Sequence, residues 1–182
     1  MRAPAGITAE ESAMGRTPDA QTRLIDHTYR ASPPHRPGTG TQPPHGAFAV
    51  CLNALPAEVT SADWASLTAY ATGFQLCRDG YFWEAHEVWE AVWKRGPPHS
   101  PERAGLKGLI QAANASLKAS MSNEKAAARL WPIAAEHFAE AAGHRTTVGS
   151  ELLMGLDPVA LSRDAADLES HEEFWSRHYI SC

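Results

Sequence analysis

From about residue 57 the apolar positions of this chain repeat every three to four residues, the period of an amphipathic helix, and no run alternates in the manner of a strand. Trp64, Leu67, Ala71 and Phe74 form one such face, with Ser61 as the expected cap and Asp79-Gly80 as the stop. A second helix is predicted over Tyr81 to Arg95, ended by Gly96-Pro97-Pro98. Ser100-Pro101 reads as an N-cap followed by proline at the first helical position, opening a third helix that runs to about Met121. Asn123 opens a fourth, reaching Gly143, and Pro132 inside it should kink or divide it. Asp157-Pro158 begins a short fifth helix, and Glu169 to Tyr179 form a sixth. Short links between consecutive helices make them antiparallel neighbours. The expected fold is therefore all-α, a single compact bundle of five to six helices.

Proline placement changes the picture at the front of the chain. Seven of the 13 prolines fall in the first 45 residues, which contain one aromatic residue, Tyr29, and none of the six tryptophans. Such a segment buries too little apolar surface to offset the entropy of ordering it. Residues 1–56 are accordingly expected to be a disordered extension, and residues 57–182 the helical domain. A short helix around Ala20 to Tyr29 and a use of the extension as a localisation or docking segment are the alternatives.

The formal charge of −5 is unevenly divided. Five arginines face four acidic residues in the first 45 positions, so the remainder carries −6. That balance argues against nucleic acid as the partner. The longest apolar stretch, Gly46 to Leu55, is too short to span a bilayer, and the first residues lack the apolar core of a secretory signal. Three cysteines without paired spacing indicate neither a disulfide framework nor a zinc knuckle. A soluble, cytoplasmic protein is expected. Its partner would be a protein or a small molecule that the sequence does not identify, and oligomer formation is left open.

Chemistry concentrates in the second helix, Phe82-Trp83-Glu84-Ala85-His86-Glu87-Val88-Trp89-Glu90-Ala91-Val92-Trp93. On a helical wheel Phe82, Ala85, Trp89, Val92 and Trp93 share one apolar arc, and His86 with Glu90 sits at its edge, spaced to hydrogen-bond. Glu87 lies further round and Glu84 nearly opposite His86, so these two carboxylates are expected nearer to water. On the third helix, Gly105, Gly108 and Ala112 make a small-residue face, and Lys107, Gln111, Asn114 and Lys118 a polar one. Antiparallel packing would bring Lys107 or Gln111 towards Glu87 or Glu90, over a floor of Trp89 and Trp93. Such a cleft admits two readings. It is a structural polar pair that fixes helix register, or a ligand site in which His86, Glu87 and Glu90 are the catalytic candidates. In the second reading Glu84, Trp93, Lys107 and Gln111 are the ligand-contacting candidates. His86 and Glu90 are also the candidate metal ligands, although one helix leaves a divalent ion short of protein donors. No nucleotide or flavin motif is present. A divalent metal is the one cofactor these residues leave open.

Glu136, His137, Glu140 and His144, and the set His171, Glu172, Glu173 and His178, are read as solvated faces. Cys77 is read as a small core residue.

Phe74, Asp79-Gly80, the whole segment Phe82 to Trp93, Glu102-Arg103 and Leu106-Lys107-Gly108-Leu109-Ile110-Gln111-Ala112-Ala113 resemble the domain-of-unknown-function family 309. Its pattern is an aromatic-Glu-Ala-His-Glu-x-x-Glu-x-x-Trp helix followed by a Lys-Gly-Leu-Ile-Gln helix. Ala126 to Leu130 and Gly155-Leu156-Asp157 are similar to its later elements, so the resemblance runs from about Leu67 to Leu161. It implies a small all-helical fold of cytoplasmic bacterial or archaeal type and puts Glu84, His86, Glu87, Glu90, Trp93 and Gln111 at signature positions. It implies no activity. Trp89 departs from the aliphatic residue usual at its place and would reshape any pocket there.

Two functions follow as expectations. The first is a non-catalytic structural or partner-binding domain. The second is a small-molecule or metal-dependent hydrolase-like enzyme using His86 with Glu90 or Glu87.

Overall fold

The computed structural model describes residues 33–39, 46, 48–60, 63–144, 152–167 and 171–178. Among them are seven α-helices: α1 (Ala49–Asn53), α2 (Thr68–Arg78), α3 (Phe82–Trp93), α4 (Pro101–Ser120), α5 (Glu124–Gly143), α6 (Pro158–Asp167) and α7 (His171–Arg177). One 3-10 turn, Trp64–Ser66, precedes α2. No strand occurs among the described residues. The six helices from α2 to α7 are those read from the periodicity; α1 is an addition.

Most helix ends carry the chemistry expected of them. Ser100 Oγ accepts from the Arg103 amide at 3.2 Å, and Asn123 Oδ1 from that of Ala126 at 3.2 Å. Asp157 Oδ1 accepts from Val159 N at 2.9 Å and so starts α6. Between α2 and α3, Gly80 takes φ +84°, a value that would strain a side-chain-bearing residue. Gly80 N then donates to Cys77 O at 3.1 Å and Tyr81 N to Leu76 O at 2.8 Å, a Schellman closure that reverses the chain. The start of α2 differs from expectation. Residues 64–66 form the 3-10 turn, and α2 begins only at Thr68 with Leu67 at its cap; Ser61 lies outside the described residues. Pro132 does not divide α5. The amide it lacks would have bonded the Ala128 carbonyl, and both residues are exposed, so water can take that acceptor.

The most extensive packing is α4 against α5. A Cβ on Gly108 would lie 2.4 Å from the Phe138 ring, and one on Gly105 would lie 3.9 Å from the Ala141 Cβ. These pairings run in opposite directions along the two helices, so the helices are antiparallel and the small-residue face is their seam. A file of aromatic rings continues the core: Tyr70, Phe74, Trp89, Trp175 and Phe174 stand 4.9–5.7 Å apart, each against the next. The last two come from α7, which is pinned by Trp175 Nε1 donating to the buried Ser116 Oγ of α4 at 2.9 Å.

Part of the segment assigned to the extension packs with the helices. Phe48, Cys51 and Leu55 are buried in the core. Arg95, just beyond α3, donates to the carbonyls of Leu55 (2.9 Å) and Pro56 (2.6 Å) and accepts from Val59 N at 2.9 Å. Proline count measured the composition of the front segment as a whole and missed the apolar spacing of residues 48, 51 and 55. The possible helix at residues 20–29, and most of the remaining extension, lie outside the described residues.

Candidate functional site

Helix α3 turns Phe82, Ala85, Val88, Trp89 and Val92 into the core. Trp89 is fully buried, its Nε1 donates to Tyr70 O at 3.0 Å, and its ring packs against Gly73, where a Cβ would approach within 2.2 Å. It is a core residue and not the floor of a cleft. Trp93, at the end of the arc, is half-buried, with the Arg103 guanidinium 4.1 Å above its ring.

The acidic residues are sorted differently from the wheel. Glu84, expected towards water, is completely buried in the first turn of α3. Its Oε1 accepts from the main-chain N–H of His35 at 2.7 Å. The positive end of the helix dipole favours a carboxylate at that position. The local pattern could not supply this partner, because it lies 49 residues earlier in the proline-rich segment.

His86, Glu87 and Glu90 occupy the rim, with side chains 22%, 42% and 36% exposed. The expected His86–Glu90 hydrogen bond is replaced by other neighbours. Glu90 pairs with Lys94 at 3.1 Å, and His86 Nε2 stands 4.0 Å from Glu87 Oε1. His86 Nδ1 is buried without a hydrogen-bond partner, as is Trp93 Nε1. One donor atom from each of His86, Glu87 and Glu90 can still be chosen so that all three lie within 4.8 Å of one another. This is the spacing of a group able to share one metal ion.

The remaining candidates part company with this trio. Lys107 is exposed and lines a hollow of about 370 Å³ with Trp93, His99, Ser100, Arg103 and Glu140, a lining that includes none of the trio. Gln111 is half-buried on α4 and lines neither this hollow nor the one beside residues 34 and 36. His137 Nδ1 stands 3.4 Å from Glu140 Oε2 at the surface. Cys77 is fully enclosed, and burial, with the Glu84 charge adding to it, pushes its thiol well above the ordinary range. Cys51 is pushed up to about 11 by burial. Neither is an activated nucleophile.

The sequence pattern does not single out Asp164 and assigns His178 to a solvated face, yet the two form a buried ionic group. Asp164 of α6, 6% exposed, is bonded by His178 Nε2 at 3.0 Å and Arg163 Nε at 2.9 Å. Burial pushes its carboxyl up, but the hydrogen bonds from Arg163 and His178 outweigh this and hold it below its ordinary value. His178 is held below its ordinary value by burial, against the opposing pull of Asp164. This cluster locks the end of α7 onto α6.

Among the described residues, no helix is long and apolar enough to cross a membrane. Comparison with curated proteins and with solved structures yields no match. The model of a family described as a domain of unknown function, DUF309, matches residues 70–130, a shorter span than the motifs suggested. That span holds nearly all of α2, the whole of α3 and α4, and the opening of α5, and over these helices the chain is similar to the DUF309 family.

Proposed function

We propose that this chain is a non-catalytic binding domain in which α3 serves two purposes. Its inner face, with Glu84, Ala85, Val88, Trp89 and Val92, holds the bundle together. Its rim presents His86, Glu87 and Glu90 to a divalent cation of the borderline type, Zn²⁺ foremost. The observation that carries this reading is the convergence of one imidazole and two carboxylate donors within 4.8 Å. Imidazole nitrogen and carboxylate oxygen suit such an ion, and the partial exposure of all three leaves its other positions to water or to a partner's side chain.

A hydrolase-like use of the same trio is the second reading, favoured by that same convergence, since a metal held by three protein donors keeps an open position. It is the weaker one. Among the described residues, neither the hollow beside Pro34 and Arg36 nor the one beside Trp93 and Lys107 is lined by His86, Glu87 or Glu90.

A thermal-shift series with Zn²⁺, Co²⁺, Ni²⁺, Mn²⁺ and Mg²⁺ tests the proposal. Zn²⁺ at about 100 times its Kd should add about 2.7 kcal/mol to the stability of the wild type. His86→Ala should abolish that gain and leave the metal-free protein close to wild type. If no cation shifts the wild type and His86→Ala alone is destabilised by about 1–3 kcal/mol, the rim is a structural pair and the proposal fails.

A further inference from the structure

The front of α3 is already in contact with a peptide. Residues 34–36 lie against it, with Pro34 and His35 half-buried and His35 donating its main-chain N–H to the enclosed Glu84. The His35 ring stands edge-on to Trp83, with centroids 4.5 Å apart. Pro34 and Arg36 form one wall of a hollow of about 550 Å³ whose other walls are the α2–α3 turn, Ser120 and α7. Prolines at 33, 34 and 37 restrict the backbone and carry no N–H of their own. The segment closes in a turn, where Thr39 N and Oγ1 both donate to the Arg36 carbonyl. A proline-restricted piece offering its main chain to a fixed acceptor and a ring to an aromatic neighbour uses the contacts by which peptides dock on domains. Charge favours the pairing, since the front 45 residues carry a net +1 and the remainder −6.

We infer that the N-terminal half of α3 is a docking surface for an extended, proline-flanked peptide read through one main-chain N–H and one imidazole. Its occupant in this chain is residues 33–39, bound in cis as an exchangeable ligand and not as a fixed part of the bundle.

The test cuts the tether in the full-length folded chain. A protease site replacing residues 41–44 is cleaved, and the front fragment is followed by size-exclusion chromatography and by titration back onto the domain. The fragment is expected to remain associated at micromolar concentration and to rebind after separation. His35→Pro, which removes the donor without touching the domain, should weaken rebinding about ten- to a hundredfold. His35→Ala keeps the N–H and should weaken it less. Loss of the fragment on cleavage, or equal rebinding by His35→Pro, overturns the inference. So does collapse of the near-ultraviolet circular dichroism once the fragment leaves, because the segment would then be part of the fold.

Discussion

Replacing Gly73 by alanine puts the packing of α2 against α3 to a direct test. In an open helix the change would stabilise by about 1 kcal/mol through propensity. Here the new methyl group would sit 2.2 Å from Trp89 Cε2 and Nε1 and 2.8 Å from Cδ1, far inside van der Waals contact. Trp89 has no room to yield, since it is fully buried between Phe74 and Trp175. Either the two helices separate, or the indole turns and gives up its 3.0 Å hydrogen bond to Tyr70 O. Overpacking costs about 1–3 kcal/mol, and leaving the buried N–H unpaired costs a similar amount. After the propensity gain, overpacking alone leaves a net loss of about 1 kcal/mol, and overpacking with the lost hydrogen bond about 3 kcal/mol. Urea unfolding followed by tryptophan fluorescence measures it, with Gly143→Ala as a control because a Cβ there meets nothing within 4 Å. Gly73→Ala equal in stability to the wild type, or above it, would refute the packing described for α2 and α3.

Three further outcomes follow from the described contacts. Ser116→Ala orphans the indole N–H of Trp175 in a fully buried position and should cost about 1–3 kcal/mol, read by the same unfolding curves. The His178 imidazole, held by burial below its ordinary value, binds a proton more readily in the unfolded chain than in the folded one. Its contribution is therefore complete above the ordinary histidine range and is lost as pH falls through the lowered value. The difference in urea midpoint between wild type and His178→Asn should shrink over that window, and a pH-independent difference would count against the role given to His178. Cys51 and Cys77, both buried with raised thiols, should resist alkylation in the native protein and react only on unfolding, as mass spectrometry of iodoacetamide-treated samples will show.

What the sequence disclosed, and where it stopped, has a common physical cause. Caps and stops are local: Ser100, Asn123, Asp157 and Gly80 act within a few residues, and each does what its type and position require. The small face of α4 was likewise legible, because glycines at helical spacing declare a close approach; Phe138 as the partner was not. Periodicity placed Ala85, Trp89 and Val92 inside. It misplaced Glu84, since a wheel assigns charge to water and the donor that makes burial tolerable is His35, from a remote segment that composition alone read as unstructured. The His86–Glu90 pair failed for another reason. Spacing permits a contact but does not choose between competitors, and Lys94 stands at the same four-residue interval on the other side of Glu90. The trio His86, Glu87 and Glu90 was readable as residues, and its shared geometry only from the folded helix.

We propose that α3 divides its motif between a face that holds the fold and a rim that holds a ligand. Isothermal titration of Zn²⁺ into wild type, His86→Ala and Glu84→Gln tests it most directly. One binding site is expected in the wild type, none in His86→Ala, and a site of unchanged affinity in Glu84→Gln, whose stability alone should fall. Zinc binding that survives His86→Ala, or binding absent from the wild type, would contradict it.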